Sequence, residues 1–132
     1  MSEFKVVEVV FKDENVLIKS LKDLGYDVNI HKEGKTLENG YSRSKPKAHI
    51  VVPKRCFQGM GDIGFERTKK GFVMHADDYD WGSHGHKFHL KKLNMTYSEN
   101  KLKKVVNSTS RYSISSRKEN KKGQIEIQLR VN

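Results

Sequence analysis

The stretch Asp62-Ile-Gly-Phe-Glu-Arg-Thr-Lys-Lys-Gly-Phe-Val-Met-His-Ala-Asp77 decides the fold, because two alternating strand patterns meet in it at a Lys-Lys-Gly turn. Ile63 and Phe65 share one face before the turn, as residues two apart on a strand do. The apolar positions after the turn alternate in the same way: Phe72, Met74 and Ala76. Gly71 supplies the positive φ that a tight turn requires. We therefore expect a β-hairpin at the centre of the core.

Length, cysteine content and hydropathy restrict the class of protein. The 132 residues are enough to bury a core without disulfides, and we expect one domain over residues 1–132. Cys56 is the only cysteine, and the chain has neither an N-terminal apolar segment nor a long apolar run. We therefore expect a cytoplasmic protein that is not secreted and has no membrane span.

Positive charge is concentrated in the second half of the chain. The formal net charge is +10, and residues 1–66 carry 11 basic and 10 acidic groups whereas residues 67–132 carry 15 and 6. This imbalance indicates a polyanionic partner, RNA or DNA first. Because lysine outnumbers arginine 20 to 6, we expect contacts to phosphates with little sequence specificity. A lysine-rich surface that serves only solubility is the alternative.

The first part of the chain has the pattern of strand, helix and strand. Phe4–Phe11 is nearly continuous in β-branched and apolar residues and predicts the first strand. Asp13 is suited to cap a helix over residues 14–24, and Gly25 is suited to end it. That helix has one apolar stripe: Leu17, Leu21 and Leu24. Alternation over residues 26–31 then predicts the second strand.

The remaining elements follow from the same patterns. Residues 32–47 are rich in lysine, glycine and serine and predict an exposed loop, followed by a strand at Ala48–Val52. A second helix is predicted from Phe88 or Leu90 to Asn107, with an inner side formed by Leu93, Tyr97, Leu102, Val105 and Val106. Strict alternation up to Val131 predicts a last strand, which pairs with one around Tyr112 and Ile114 through a basic turn at residues 117–123.

These elements define the expected fold. The class is α+β in a single small domain, with the order β-α-β-β-β-β-α-β-β. The simplest arrangement is a mainly antiparallel sheet that carries both helices on one face.

Five motifs resemble those of a known family and occur in the same order over nearly the whole chain: Met1-Ser-Glu-Phe4, Leu21-Lys-Asp-Leu-Gly-Tyr26, Ala48-His-Ile-Val-Val52, Asp62-Ile-Gly-Phe65 and Gly123-Gln-Ile-Glu-Ile-Gln-Leu129. The chain with these motifs resembles the hypothetical chloroplast reading frame thirty-five family, which is of unknown function and occurs in cyanobacteria, algal plastids, other bacteria and some viruses. The resemblance implies a small domain in the cytoplasm or plastid stroma, or of viral origin, and supplies no catalytic residue. The chain departs from the family in the 32–47 loop, the His-rich segment at 84–89 and the basic second half.

One segment is dense in potential metal ligands. Seven of them fall within fifteen residues: His75, Asp77, Asp78, Asp80, His84, His86 and His89. Imidazole and carboxylate groups suit zinc or another transition metal, and the histidines with Asp77 are the candidate ligands. The alternative is a polar loop that faces solvent. If a metal is bound, a chelator should change the stability or the activity.

The strongest candidates for polyanion contacts lie on the second helix and on the last hairpin. The helix carries Lys91, Lys92, Lys101, Lys103 and Lys104, and the hairpin carries Arg117, Lys118, Lys121 and Lys122. Lys101 and Lys104 are three residues apart and therefore share a helix face. A solvated helix face is the alternative interpretation.

Catalysis has little support in the sequence. Cys56 has basic neighbours but no indicated histidine partner, and Gly59-Met-Gly61 lacks the rest of a phosphate loop. The first hypothesis is therefore a non-enzymatic basic protein that binds RNA or DNA phosphates. The second is an accessory protein that docks on a protein partner or larger assembly by a sheet edge or the 32–47 loop. The third is a metal-dependent enzyme that uses the segment 75–89.

Overall fold

The computed structural model describes residues 4–37, 46–77, 88–122 and 124–132, with the backbone alone for residues 4–10. Within them lie seven strands and two α-helices, in the order β1 (Phe4–Phe11), α1 (Glu14–Asp23), β2 (Asn29–Thr36), β3 (Lys47–Val52), β4 (Ile63–Thr68), β5 (Gly71–Asp77), α2 (Leu90–Asn107), β6 (Tyr112–Glu119) and β7 (Ile125–Val131). The predicted α+β class and element order are confirmed. Neither described helix is long and apolar enough to cross a membrane.

The hairpin predicted at the centre is the middle of a five-stranded antiparallel sheet. The strand order is β1-β5-β4-β3-β2, so that β4 and β5 each have a neighbour on both sides. Phe65 lies opposite Met74, and Thr68 lies opposite Gly71 at the turn. Gly71 has a φ of +129°, a region that side chains disfavour. The turn chemistry inferred from Lys-Lys-Gly is therefore confirmed.

The main core lies between one face of this sheet and the two helices. Phe65 and Met74 of the hairpin are fully buried, as are Leu17 of α1 and Leu93 of α2. Phe11 packs edge-on against Phe65. Burial of each such side chain contributes about 1.5–3 kcal/mol relative to exposure, so the helices are held on the sheet mainly by apolar contact.

The helix α1 begins and ends as its sequence predicts. Asp13 Oδ1 accepts a hydrogen bond from Val16 N at 3.1 Å, which satisfies a donor of the first turn. Gly25 has a φ of +90°. The Gly25 amide bonds Lys22 O and the Tyr26 amide bonds Leu21 O, the pair of bonds that defines a Schellman motif.

The second strand differs from its prediction. It begins at Asn29 and continues to Thr36, so residues 32–36 of the predicted loop are strand, and Lys47 belongs to β3. The rest of that loop, residues 38–45, lies outside the described residues. β2 is an edge strand whose register with β3 shifts between Ile30 and Lys35. β2 is held by backbone pairing with β3 and has no continuous apolar face. The alternation of apolar and polar residues therefore did not predict its full length.

The last two strands form a sheet of their own. β6 and β7 pair with each other and not with the five-stranded sheet, which corrects the expectation of one sheet. Ile125 and Ile127 are half-buried beside α2, whereas Leu129 is 41% exposed and Val131 is 74% exposed. The helix covers one end of the hairpin only.

One side of α2 also differs from its prediction. Val105, assigned to the inner side, is 51% exposed, whereas Glu99 and Asn100 are buried. Polar contacts to α1 and β6 occupy those two positions, so apolar spacing alone did not identify the inner face.

Candidate functional site

A buried polar contact fixes α2 against α1. Asn100 Nδ2 donates to Ser20 Oγ and to Asp23 Oδ2, both at 3.0 Å. Ser20 Oγ in turn donates to Val16 O at 2.7 Å. The bond from Asn100 is the largest cause that lowers the pKa of Asp23 below its ordinary value. Because each group has a directional partner, this network sets how α2 is rotated and therefore which lysines face outward.

Asp13 binds two of the lysines that the sequence assigned to polyanion binding. Its Oδ2 accepts bonds from Lys104 Nζ at 2.5 Å and Lys101 Nζ at 3.1 Å. Its backbone amide donates to Tyr97 Oη at 2.9 Å. The bond from Lys104 is the main cause that lowers the pKa of Asp13 far below its ordinary value. Lys101 and Lys104 therefore stabilise the start of α1.

Glu99 binds two further cations and joins α2 to the hairpin. Its carboxylate accepts bonds from Arg117 Nε and, at 3.3 Å, from Arg117 Nη2. Lys103 Nζ lies 3.6 Å from Glu99 Oε1. The Glu99 side chain is only 9% exposed, and the bond from Arg117 is the main cause that lowers its pKa. Two N–H bonds to one carboxylate also fix the plane of the guanidinium.

A cleft of about 350 Å³ opens between α2 and the hairpin, and we call it the α2–hairpin cleft. It is lined by four cationic side chains: Lys91, Lys92, Arg117 and Lys122. Leu24, Met95 and Ile125 supply apolar lining, and Glu99 and Glu119 supply two carboxylates. Residues from α1, α2 and the hairpin thus meet at one site, although they are far apart in the chain.

The nine cations predicted to contact a polyanion fall into two groups. Four of them pair with Asp13 or Glu99: Lys101, Lys103, Lys104 and Arg117. Five of them form no ion pair with any residue that the structure describes: Lys91, Lys92, Lys118, Lys121 and Lys122. Lys118 alternates with Arg117 along β6 and therefore points to the face of the hairpin away from the cleft. Lys121 lies in the turn next to Lys122. The cleft thus brings together Lys91, Lys92 and Lys122 as cations that have no ion-pair partner among the described residues.

The structure also shows a basic cluster that the sequence analysis did not select. Lys12, Arg67, Lys69 and Lys70 line a depression of about 730 Å³ at the β4–β5 turn, together with Glu14. Arg67 Nη2 lies 2.8 Å from Glu14 Oε1, and its guanidinium lies 5.3 Å from the centre of the Phe72 ring. The Lys69-Lys70 pair is a signal for this cluster in the sequence, but a lysine pair before a glycine is equally typical of a β-turn.

The predicted metal ligands are only partly described. His75 Nε2 lies 2.9 Å from Glu66 Oε1, Asp77 is fully buried, and His89 is exposed directly before α2. The other candidates, Asp78, Asp80, His84 and His86, lie outside the described residues. Within the described ranges, no group of three or more His, Cys, Asp and Glu side chains is placed to hold a metal ion. Zinc or transition-metal binding stays a prediction, which a melting curve with and without chelator tests.

Comparison with known proteins gives a family match. A family described as "Protein of unknown function (DUF1257)" matches residues 20–128. The match confirms the resemblance to a family of unknown function. No curated protein and no solved structure matches the chain.

Proposed function

We propose, from the premise that this chain belongs to the DUF1257 family of unknown function, that it is a non-enzymatic basic protein that binds the phosphates of RNA or DNA. The site of binding is the α2–hairpin cleft. Recognition depends on the charge of the backbone and has little sequence specificity.

The observation that carries this proposal is that three lysines without an ion-pair partner in the described part of the chain lie together in the cleft. Lys91 and Lys92 come from the first turn of α2, and Lys122 comes from the turn between β6 and β7. Since none of the three has an ion-pair partner in the described chain, each is available to a phosphate. Each phosphate that is neutralised releases condensed counterions, which favours binding at low salt.

The chemistry of these side chains supports low specificity. A lysine ammonium is a flexible point charge, whereas reading a base edge favours the planar fork of arginine. Arg117, the arginine of the cleft, already donates two bonds to Glu99. Because these bonds commit one edge of its guanidinium to Glu99, the lysines are the cations of the cleft that are free to contact the ligand.

The test is binding of labelled single- and double-stranded RNA and DNA across a salt series. The cleft variant carries Lys91→Gln, Lys92→Gln and Lys122→Gln. A control variant removes the same charge from the β2–β3 hairpin, with Lys32→Gln, Lys35→Gln and Lys47→Gln, all of which are exposed and outside the cleft. We expect the magnitude of the slope of log K against log salt to fall by about 2 with single strands and by about 3 with duplexes in the cleft variant, and to change little in the control.

Two results would overturn the proposal. One is the absence of binding to any of the four nucleic acids at low salt. The other is an equal loss in both variants, which would mean that net charge and not the cleft determines binding.

A second candidate function is docking on a protein partner, which the far end of the last hairpin favours. Tyr112 lies opposite Val131 in the register, and Leu129 follows on the same side of β7. All three are exposed, at 37%, 74% and 41%. Apolar side chains grouped at a surface are typical of protein contacts. Capture of a partner by the native chain but not by the Leu129→Ser, Val131→Ser variant would support this function.

A further inference from the structure

We infer that the α2–hairpin cleft takes a single strand and holds its unstacked bases in an apolar groove beside the lysines. This inference rests on the proposed function and assigns the class of nucleic acid.

The groove is an extension of the cleft along α2. A second depression, of about 420 Å³, shares Met95, Glu99 and Ile125 with the cleft and adds Leu102 and Ile127. On the α2 side, the half-buried apolar side chains of Met95 and Leu102 line the groove together with Asn94, Ser98 and Glu99. On the β7 side, the lining is formed by Ile125 and Ile127. Met95 and Leu102 are seven residues apart, about 10 Å along the helix axis. That length exceeds the thickness of a single base, which is roughly 3.4 Å, so the groove has room for more than one base.

A groove of this composition favours a ligand that has both charge and apolar faces. In a duplex the base faces are stacked and paired, so only phosphates and groove edges reach a protein surface. In a single strand the bases can turn outward and lie against side chains while the phosphates meet cations. The cationic rim and the adjoining apolar walls match the second case.

Arg117 gives the cleft an oriented flat surface next to the groove. Its guanidinium is held by Glu99 through Nε and Nη2, and its side chain is 43% exposed. A guanidinium plane stacks on bases as aromatic rings do. Because Glu99 is a buried residue of α2, the orientation of this plane is set before a ligand arrives.

The positions of the lysines favour a nucleic-acid strand as the occupant of the cleft and groove. Lys91 and Lys92 stand at one end of the groove, and Lys122 stands across from them on the hairpin. A backbone with regularly spaced anions can meet both sides while its bases point toward Met95 and Ile125. An acidic protein segment is the competing occupant, and the test includes it.

The experiment compares three probes with the same number of phosphates per strand. They are a 12-nucleotide oligo(dT), an abasic strand of equal length, and the duplex of oligo(dT) with oligo(dA). We expect oligo(dT) to bind about tenfold more tightly than either of the others, since base contacts add to phosphate contacts.

Variants of the groove distinguish the contacts to the bases from the contacts to the phosphates. Met95→Gln with Leu102→Gln keeps side-chain size and charge but makes the walls polar. We expect it to remove the preference for oligo(dT) over the abasic strand while the salt slope stays the same. Val105→Gln, on the exposed side of the same helix, is the matched control and should retain the preference. A melting curve of each variant shows whether it is folded.

The outcomes distinguish this inference from the function on which it rests. Equal or tighter binding of the duplex or the abasic strand would overturn the inference and leave phosphate binding in place. Displacement of oligo(dT) by poly-glutamate at equal charge concentration would overturn it in favour of an acidic protein segment. Binding to none of the three probes at low salt would overturn both the inference and the proposed function.

Discussion

At the scale of single residues, two carboxylates decide which cations are available to a ligand. Asp13 binds Lys101 and Lys104, and Glu99 binds Arg117 with Lys103 nearby. Both carboxylate side chains are largely buried, with 11% and 9% exposed. A buried carboxylate needs a compensating positive charge, so these cations have a structural role. The sequence pattern, which is typical of an exposed helix face, did not indicate that role.

The pH dependence of stability follows from the same carboxylates. The fold lowers the pKa of Asp13, Asp23 and Glu99 below their ordinary values, which are 3.8 for aspartate and 4.5 for glutamate. A lowered pKa means that the stabilisation is fully present above the ordinary value and is lost progressively as the pH falls from there through the lowered pKa of the folded state. We expect the free energy of unfolding to decrease from pH 6 to pH 3.

The Asp13→Asn variant tests the largest of these contributions. Asparagine retains an N-cap oxygen but not the charge that binds Lys101 and Lys104. In urea unfolding, the variant should lose less stability between pH 6 and pH 3 than the native chain does. An equal loss in both would show that Asp13 does not contribute to the pH dependence.

Gly64 provides a test of packing on the second face of the sheet. A Cβ at this position would lie 2.5 Å from Ala48 Cβ and 2.7 Å from Leu37 Cδ1. We expect Gly64→Ala to lower the free energy of unfolding by about 1–3 kcal/mol, since the neighbours must move. Urea unfolding measures this loss. The double variant Gly64→Ala, Ala48→Gly removes the nearest contact and should recover part of it, so a double variant less stable than either single variant would contradict the packing.

At the scale of elements, the last hairpin depends on α2 for its stability. A two-stranded sheet is at best marginally stable alone, and this one contacts the rest of the described chain mainly through Arg117, Ile125 and Ile127. The bonds from Arg117 to Glu99 are the directional part of that contact. The position of Lys122 in the cleft therefore depends on this pair.

The Arg117→Gln variant tests that dependence. We expect faster amide hydrogen exchange in β6 and β7, with little change in the five-stranded sheet, because the hairpin opens locally. Lys103→Gln removes a longer, more exposed contact to the same carboxylate and is the control. Unchanged exchange in the hairpin of the Arg117→Gln variant would show that the apolar contacts suffice.

The elements also show what the sequence could predict. The central hairpin, the ends of α1 and the extent of β1 have strong local signals, namely alternation, an N-cap and positive-φ glycines, and all were predicted. The length of β2 and the separation of β6 and β7 depend on pairing between distant segments, which local patterns do not contain. The cleft could be predicted from the sequence only in part. Its lysines are evident in the sequence, but the carboxylates that bind Lys101, Lys103 and Lys104 are brought to them by tertiary contacts.

At the scale of the whole molecule, the charge of +10 is distributed over separate regions. The α2–hairpin cleft holds Lys91, Lys92 and Lys122, and the depression at the β4–β5 turn holds Lys12, Lys69 and Lys70. Both regions attract anions over a distance of about 10 Å at moderate salt. We assign the ligand to the first region, because lysines without an ion-pair partner among the described residues adjoin an apolar groove there.

The measurement that tests this assignment most directly is a titration of the isotope-labelled chain with oligo(dT), followed by the backbone amide resonances. We expect the largest shifts in residues 91–102 and 117–127, on the two walls of the cleft. We expect small shifts at the control lysines of β2 and β3. Shifts concentrated at Lys12 and the β4–β5 turn, with none along α2, would overturn the assignment and place the ligand at the other basic cluster.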